Sequence, residues 1–150
     1  METAQTQQRT VRDQVIEVVN RLFIHTDDRA WRALQDEVFA PAVWFDMASL
    51  GGSQPTQMSA EAVCQTWDKG FDGIDAIHHH SGNFLVTLGD NDADVFCYAT
   101  ATHYKKAATH GQTRAMVGSY NLHLIETAGG WRIDSFKYNL KFIEGNADLT

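Results

Sequence analysis

Apolar positions change their period partway along the chain. Val11, Val15, Val18, Val19, Leu22 and Phe23 recur at helical spacing, which predicts an amphipathic helix over residues 9–25. The segment "HTDD" interrupts it. Asp28 is placed to cap a second helix carrying Trp31, Leu34 and Val38, and Pro41 ends that region. "AVWFDM" (42–47) reads as a short strand and "GGSQPTQ" (51–57) as loop. Ser59 is a second capping residue. It opens a helix through Val63, Trp67 and Phe71 that closes near Gly70–Gly73.

The second half alternates with period two. "AIHHHSGNFLVTLG", "ADVFCYATATHYKKA", "TRAMVGSYNLHLIETA" and "GWRIDSFKYNLKFI" are long strands. The turn segments "GDND" and "TAGG" join them as antiparallel hairpins, with "ATHGQ" a looser connection. Helices first and strands afterwards is an α+β order. The expected architecture is a cone: a strongly curved antiparallel (mixed) sheet whose concave face is covered by about three N-terminal helices. One domain over residues 1–150 is expected, with residues 1–8 as a polar tail.

Alternation also sorts the polar groups. In the run "IHHHSGN" (77–83), His79 points to one face of its strand and His78 and His80 to the other. The second long strand carries Val95, Cys97, Ala99, Ala101 and His103 on one face, small residues ending in a histidine. The third carries Val117, Ser119, Asn121 and His123 on one face and Met116, Gly118, Tyr120, Leu122 and Leu124 on the other. Both faces look partly buried. A small-residue face beside Ser119 and Asn121 suits a pocket with a few convergent polar groups. Trp44 and Phe45 point to opposite sides of their strand, one toward the pocket and the other toward the core or an interface.

Composition narrows the partners. The 150 residues carry a formal net charge of −7, which argues against nucleic acid as a partner, since phosphate binding needs clustered Lys and Arg. No run of 18 apolar residues is present, so no membrane span is expected, and the polar N-terminus lacks the apolar core of a signal peptide. A cytoplasmic location follows by default. Cys64 and Cys97 form no CxxC motif and read as buried free thiols. His78 and His80 have a known ligand spacing, but a third ligand on their face is not evident, so no metal is assigned.

Four segments carry a resemblance. "DDRAW" fits an Asp-x-x-x-Trp pattern, "HHSGN" a His-x-x-x-Asn pattern, "THY" a second histidine, and "GSYNLH" a Ser-x-Asn-Leu-His pattern. In that order the chain resembles the nuclear transport factor 2-like superfold, and within it the SnoaL-like group that includes scytalone dehydratase. The resemblance implies an Asp27–His79 general-base dyad in a closed cone. Ser119, Asn121 and His103 would be polar anchors for substrate, with Trp44 beside them. A one-residue slip would exchange Asp27 for Asp28. The family's two tyrosine positions fall here on Thr26 and Met47, neither of which supplies a phenol. The implied activity is a cofactor-independent, dehydratase-like lyase or isomerase acting on a small hydrophobic or cyclic substrate. The alternative is a non-catalytic ligand-binding or assembly module. A homodimer or homotrimer is expected.

Overall fold

The first helix begins where the chain supplies its own cap. In the computed structural model, which describes residues 9–150, the Thr10 hydroxyl accepts the Asp13 N–H and the Asp13 carboxylate accepts the Thr10 N–H, both at 3.1 Å. This capping box satisfies two donors that the first helical turn leaves unpaired. The expected polar tail, residues 1–8, lies outside the described residues. Helix α1 (Val11–Asp27) buries Val15, Val18, Val19, Leu22, Phe23 and Thr26. It runs two residues beyond the pattern-based boundary. Asp28 therefore closes α1 instead of capping the next helix. Arg29 then takes φ 53°, a left-handed turn that reverses the chain.

The second helix is short. α2 (Trp31–Ala33) is one turn that widens into a π-helical turn at Leu34–Val38. Strand β1 (Phe39–Asp46) starts earlier than expected and contains Pro41. The proline is tolerated because β1 shifts register against its neighbour between Phe39 and Trp44. The segment expected as loop ends in a strand, β2 (Thr56–Ser59), paired antiparallel with β1. Ser59 accepts the Ala62 N–H at 3.0 Å and opens α3 (Ala60–Gly70).

The four long strands are β3 (Ala76–Leu88), β4 (Asp92–Tyr104), β5 (Thr113–Thr127) and β6 (Gly130–Gly145). They form an antiparallel meander, and β1 joins it parallel to β6, giving a mixed six-stranded sheet in the order β2-β1-β6-β5-β4-β3. Register shifts in β3 after Gly82 and in the β5–β6 ladder at Val117/Gly118 and His123/Leu124 bend the strands. Such bulges increase local twist and curl the sheet into a cone. Its concave face packs on α1 and α3, burying Val95, Cys97, Leu122, Leu124, Ile133 and Phe136 with the helical stripe. Cys64 and Cys97 are both free and buried, and burial pushes their thiols up to about 11 and about 12. No helix among the described residues is long and apolar enough to cross a membrane.

Pairing decides which side of each strand faces the helices. Val95, Cys97, Ala99, Ala101 and His103 are all buried, and their partners on β5 are Leu122, Tyr120, Gly118, Met116 and Arg114. Those residues form the concave wall. Ser119 and Asn121 lie opposite Tyr98 and Phe96, on the convex side. The expectation that Ser119 and Asn121 line the pocket is thus corrected. They are one residue out of phase with the inward set, and one step along a strand exchanges faces.

Candidate active site

Asp27 and His79 are brought together from elements 52 positions apart. Asp27 is the last residue of α1, and its carboxylate reaches His79 in the first half of β3. Oδ1 lies 2.5 Å from Nδ1 of His79, and Oδ2 accepts the backbone N–H of the same residue at 2.9 Å. One carboxylate thereby fixes both the ring and the main chain of His79. A carboxylate only accepts, so the Nδ1 proton points to Asp27 and Nε2 of a neutral ring keeps its lone pair. Phe23 stacks on the imidazole, with centroids 5.3 Å apart and planes 25° apart. Asp28 is exposed, so the register is that of Asp27. His78 and His80 are exposed on the outer side, opposite Thr102 and Thr100. Among the described residues no group of three or more His, Cys, Asp or Glu side chains is arranged to hold a metal ion.

His79 lines a cavity of about 260 Å³ between α1, α3 and the concave sheet. Its walls are mostly apolar: Phe23, Trp67, Phe71, Met116 and Phe136 contribute. Thr26 and Met47 also face it. The Thr26 hydroxyl donates to the Leu22 carbonyl at 2.6 Å, so its proton is committed to the helix.

His103 stands in the same wall and is only 4% exposed. Arg114 donates its Nε–H to Nδ1 of His103 at 3.0 Å, and another of its nitrogens donates to the Ala147 carbonyl at 2.9 Å. With Nδ1 accepting, the His103 proton sits on Nε2. Burial, then the Arg114 and His79 charges, lower its pKa to about 4, with Asp27 acting the other way. The cavity wall therefore holds two histidines with their Nδ1 atoms engaged in opposite senses: His79 Nδ1 faces the Asp27 carboxylate, and His103 Nδ1 accepts from Arg114.

Other expected site residues lie elsewhere. The Asn139 side-chain amide donates to Asn121 Oδ1 at 2.8 Å and reaches the Ser119 hydroxyl at 3.3 Å, forming a polar network on the convex face. Trp44 is 48% exposed and lines a shallow convex groove with Asn121 and His123. Its neighbour Phe45 takes the inward position against Trp67 and Phe136. Trp44 is thus corrected from pocket residue to outer-face residue. His123 bridges Asp134 at 2.6 Å and Asp92 at 3.0 Å on the outer side.

Among the cavity residues that the sequence does not mark as site residues are Tyr138 and Arg114, while Tyr120, with Tyr98 and Trp44, is one of three aromatic stand-ins the sequence offers for the missing phenols. Tyr120 shares the phase of Met116 and Gly118, and that alternation marks it once the inward face is known. Tyr138 follows Phe136 by two positions on β6, between the outward Lys137 and Asn139.

Comparison with known proteins agrees with this architecture. The model of the SnoaL-like domain matches residues 7–137. The crystal structure of the Kfla4162 protein from Kribbella flavida superimposes with a TM-score of 0.86 at 26% identity, covering 92% of this chain and 95% of that one. A candidate aromatic ring hydroxylase from Novosphingobium aromaticivorans gives 0.79 at 19% identity, over 95% and 99% of the two chains. A candidate scytalone dehydratase from the same bacterium gives 0.72 at 13% identity, over 89% and 85%. No curated protein shows a significant sequence match. With a family model covering most of its length and the curled sheet to match, the chain belongs to the SnoaL-like domain family.

Proposed function

We propose that the protein is a lyase or isomerase that needs no cofactor and acts on a small, hydrophobic or cyclic substrate. The observation that carries this reading is the carboxylate fork of Asp27 on His79, with Nε2 given no hydrogen-bond partner among the described residues, at an apolar cavity. His79 Nε2 takes a proton from the carbon next to a substrate carbonyl. The C–H electron pair moves onto the carbonyl oxygen as an enolate. Asp27 holds the Nδ1 proton and stabilises the imidazolium as it forms. The Nε2–H of His103 faces the developing negative charge. Collapse of the enolate then follows one of two courses. It expels a β-hydroxyl that leaves as water with the proton from His79, or it takes that proton back at a new carbon. Apolar walls exclude water and strengthen each of these contacts. Membership of the SnoaL-like family and the fold shared with a candidate scytalone dehydratase support this class of chemistry.

The test is a screen of dehydration, dehydrohalogenation and ketosteroid-type isomerisation with wild type, His79→Ala and Asp27→Asn. A discovered activity should fall about 10²- to 10⁴-fold in His79→Ala. Unchanged turnover in both variants would remove the dyad from the mechanism. A second reading, a pocket that binds without catalysis, draws on Thr26 and Met47 where the dehydratase branch has tyrosines. It predicts ligand binding with no turnover by wild type across the whole screen.

A further inference from the structure

Arg114 brings an unpaired cation to the cavity. It is the one permanently charged side chain among the residues that line it, and the rest of that wall is mostly apolar. The residue is partly buried, and no carboxylate among the described residues lies within 4.0 Å of its guanidinium. Asp148 is the acid whose field reaches it, from the exposed C-terminal segment. Burial outweighs that acid and lowers the arginine's pKa, as expected of a cation partly stripped of water. A guanidinium stays charged all the same, so its charge has to be met by water or by a ligand.

The hydrogen bonds of Arg114 fix it without neutralising it. Nε–H goes to His103 Nδ1 and Nη1–H to the Ala147 carbonyl, both uncharged acceptors. The third nitrogen, Nη2, has no acceptor among the described residues. It is not sealed off either, because the one buried side-chain polar atom there without a partner is the Tyr138 hydroxyl. Nη2 therefore opens on space that water or a ligand can enter. A planar guanidinium held on two sides, with N–H groups left over, is prearranged for a carboxylate. Strand pairing places such an acid relative to His79. Arg114 lies opposite His103, Met116 lies opposite Ala101, and Ala101 lies opposite His79. Arg114 and His79 thus stand on adjacent inward rows, two strands apart, with Ala101 and Met116 between them on the cavity wall.

We propose that the cavity binds small cyclic carboxylic acids, with the carboxylate on Arg114 and the ring across Ala101 and Met116 toward His79. This names the substrate class of the lyase or isomerase reading and rests on that reading for turnover, but not for binding. Asp148 opposes the incoming anion, so its charge weakens the site.

The experiment compares cyclohexanecarboxylate with its neutral isostere cyclohexanecarboxamide. Binding of each is titrated by NMR near neutral pH to wild type, Arg114→Met and Asp148→Asn. The acid should bind wild type about tenfold tighter than the amide, and Arg114→Met should abolish that preference while the amide's affinity stays the same. Asp148→Asn should raise the acid's affinity about twofold and leave the amide's unchanged. Equal affinities of acid and amide for wild type, or an acid preference that persists in Arg114→Met, would overturn the assignment. If Arg114→Met does not fold, Asp148→Asn decides, and an acid affinity no higher than that of wild type overturns it. His79→Ala separates binding from chemistry. An acid preference kept in His79→Ala, with no cyclic acid turned over by wild type, leaves the Arg114 site standing and removes the lyase or isomerase reading. Turnover of neutral ketones with no acid preference keeps the dyad and removes Arg114.

Discussion

Arg114 and His103 form a donor–acceptor pair inside the cone: the guanidinium Nε–H points at Nδ1 of the imidazole over 3.0 Å. A cation beside a buried imidazole opposes its protonation, and burial opposes it further. The folded-state pKa, about 4, lies below the unfolded value near 6.5. Between those values the unfolded chain binds more protons at this site. The stabilising contribution is thus complete above pH 6.5 and is lost as pH falls toward 4, amounting to about 3 kcal/mol. Urea unfolding at pH 7 and pH 4.5 should show a smaller drop for His103→Gln than for wild type. Identical drops would mean that His103 is not held neutral.

Arg114→Met removes one of the two main causes. The His103 pKa should rise in the variant yet stay below 6.5, because burial is the larger cause and remains. An NMR titration of the imidazole protons measures this directly. The same substitution frees Nδ1, so the Nε2–H tautomer should no longer dominate in the nitrogen chemical shifts.

His123 should titrate in the opposite direction. Partial burial lowers its pKa, but the hydrogen bonds to Asp92 and Asp134 outweigh that and raise it overall. Its stabilisation is present below pH 6.5 and fades as pH climbs through the raised folded-state value. His123→Gln should flatten the alkaline side of the stability profile and leave the acid side to His103.

Replacing Asp27 tests structure and chemistry separately. Asp27→Ala leaves the partly buried His79 N–H and Nδ1–H without an acceptor, and should cost about 2–3 kcal/mol in urea unfolding. Asp27→Asn keeps one oxygen acceptor and should cost less stability, yet lower any activity as far as Asp27→Ala does. Full activity in Asp27→Asn would show that orientation by a neutral amide suffices.

Gly118 admits no side chain. A Cβ there would clash with the Asn139 carbonyl as well as the Tyr138 hydroxyl. Gly118→Ala should destabilise by about 2 kcal/mol or more. Adding Tyr138→Phe should not restore stability, since the backbone clash remains.

Much of this fold is legible in the sequence because the long strands alternate cleanly between turn signals, as β4 does from Val95 to His103. The same alternation separates His79 from His78 and His80. Ser119 and Asn121 were misplaced because β5 carries apolar residues on both faces. Only its pairing with β4 reveals that Tyr120 faces inward with Cys97. Pro41 and Asp28 misled for a related reason. A register shift absorbs the proline, and α1 simply runs on until Asp28 closes it. Tyr138 carries no motif at all. Its place in the cavity wall follows from its three-dimensional neighbours, which no spacing rule encodes.

The Asp27 fork has a consequence for heat inactivation. Asp27 rides on a helix and His79 on a sheet, so the pair is also a joint between two layers. The sheet is held by its own ladders of hydrogen bonds, whereas α1 is attached chiefly by side-chain packing. Local detachment of a helix takes less free energy than global unfolding. Warming should therefore disengage α1 and abolish any activity that depends on the Asp27–His79 pair while the strand signal in circular dichroism is still intact. Such an activity would report on docking of the first helix, not on survival of the fold.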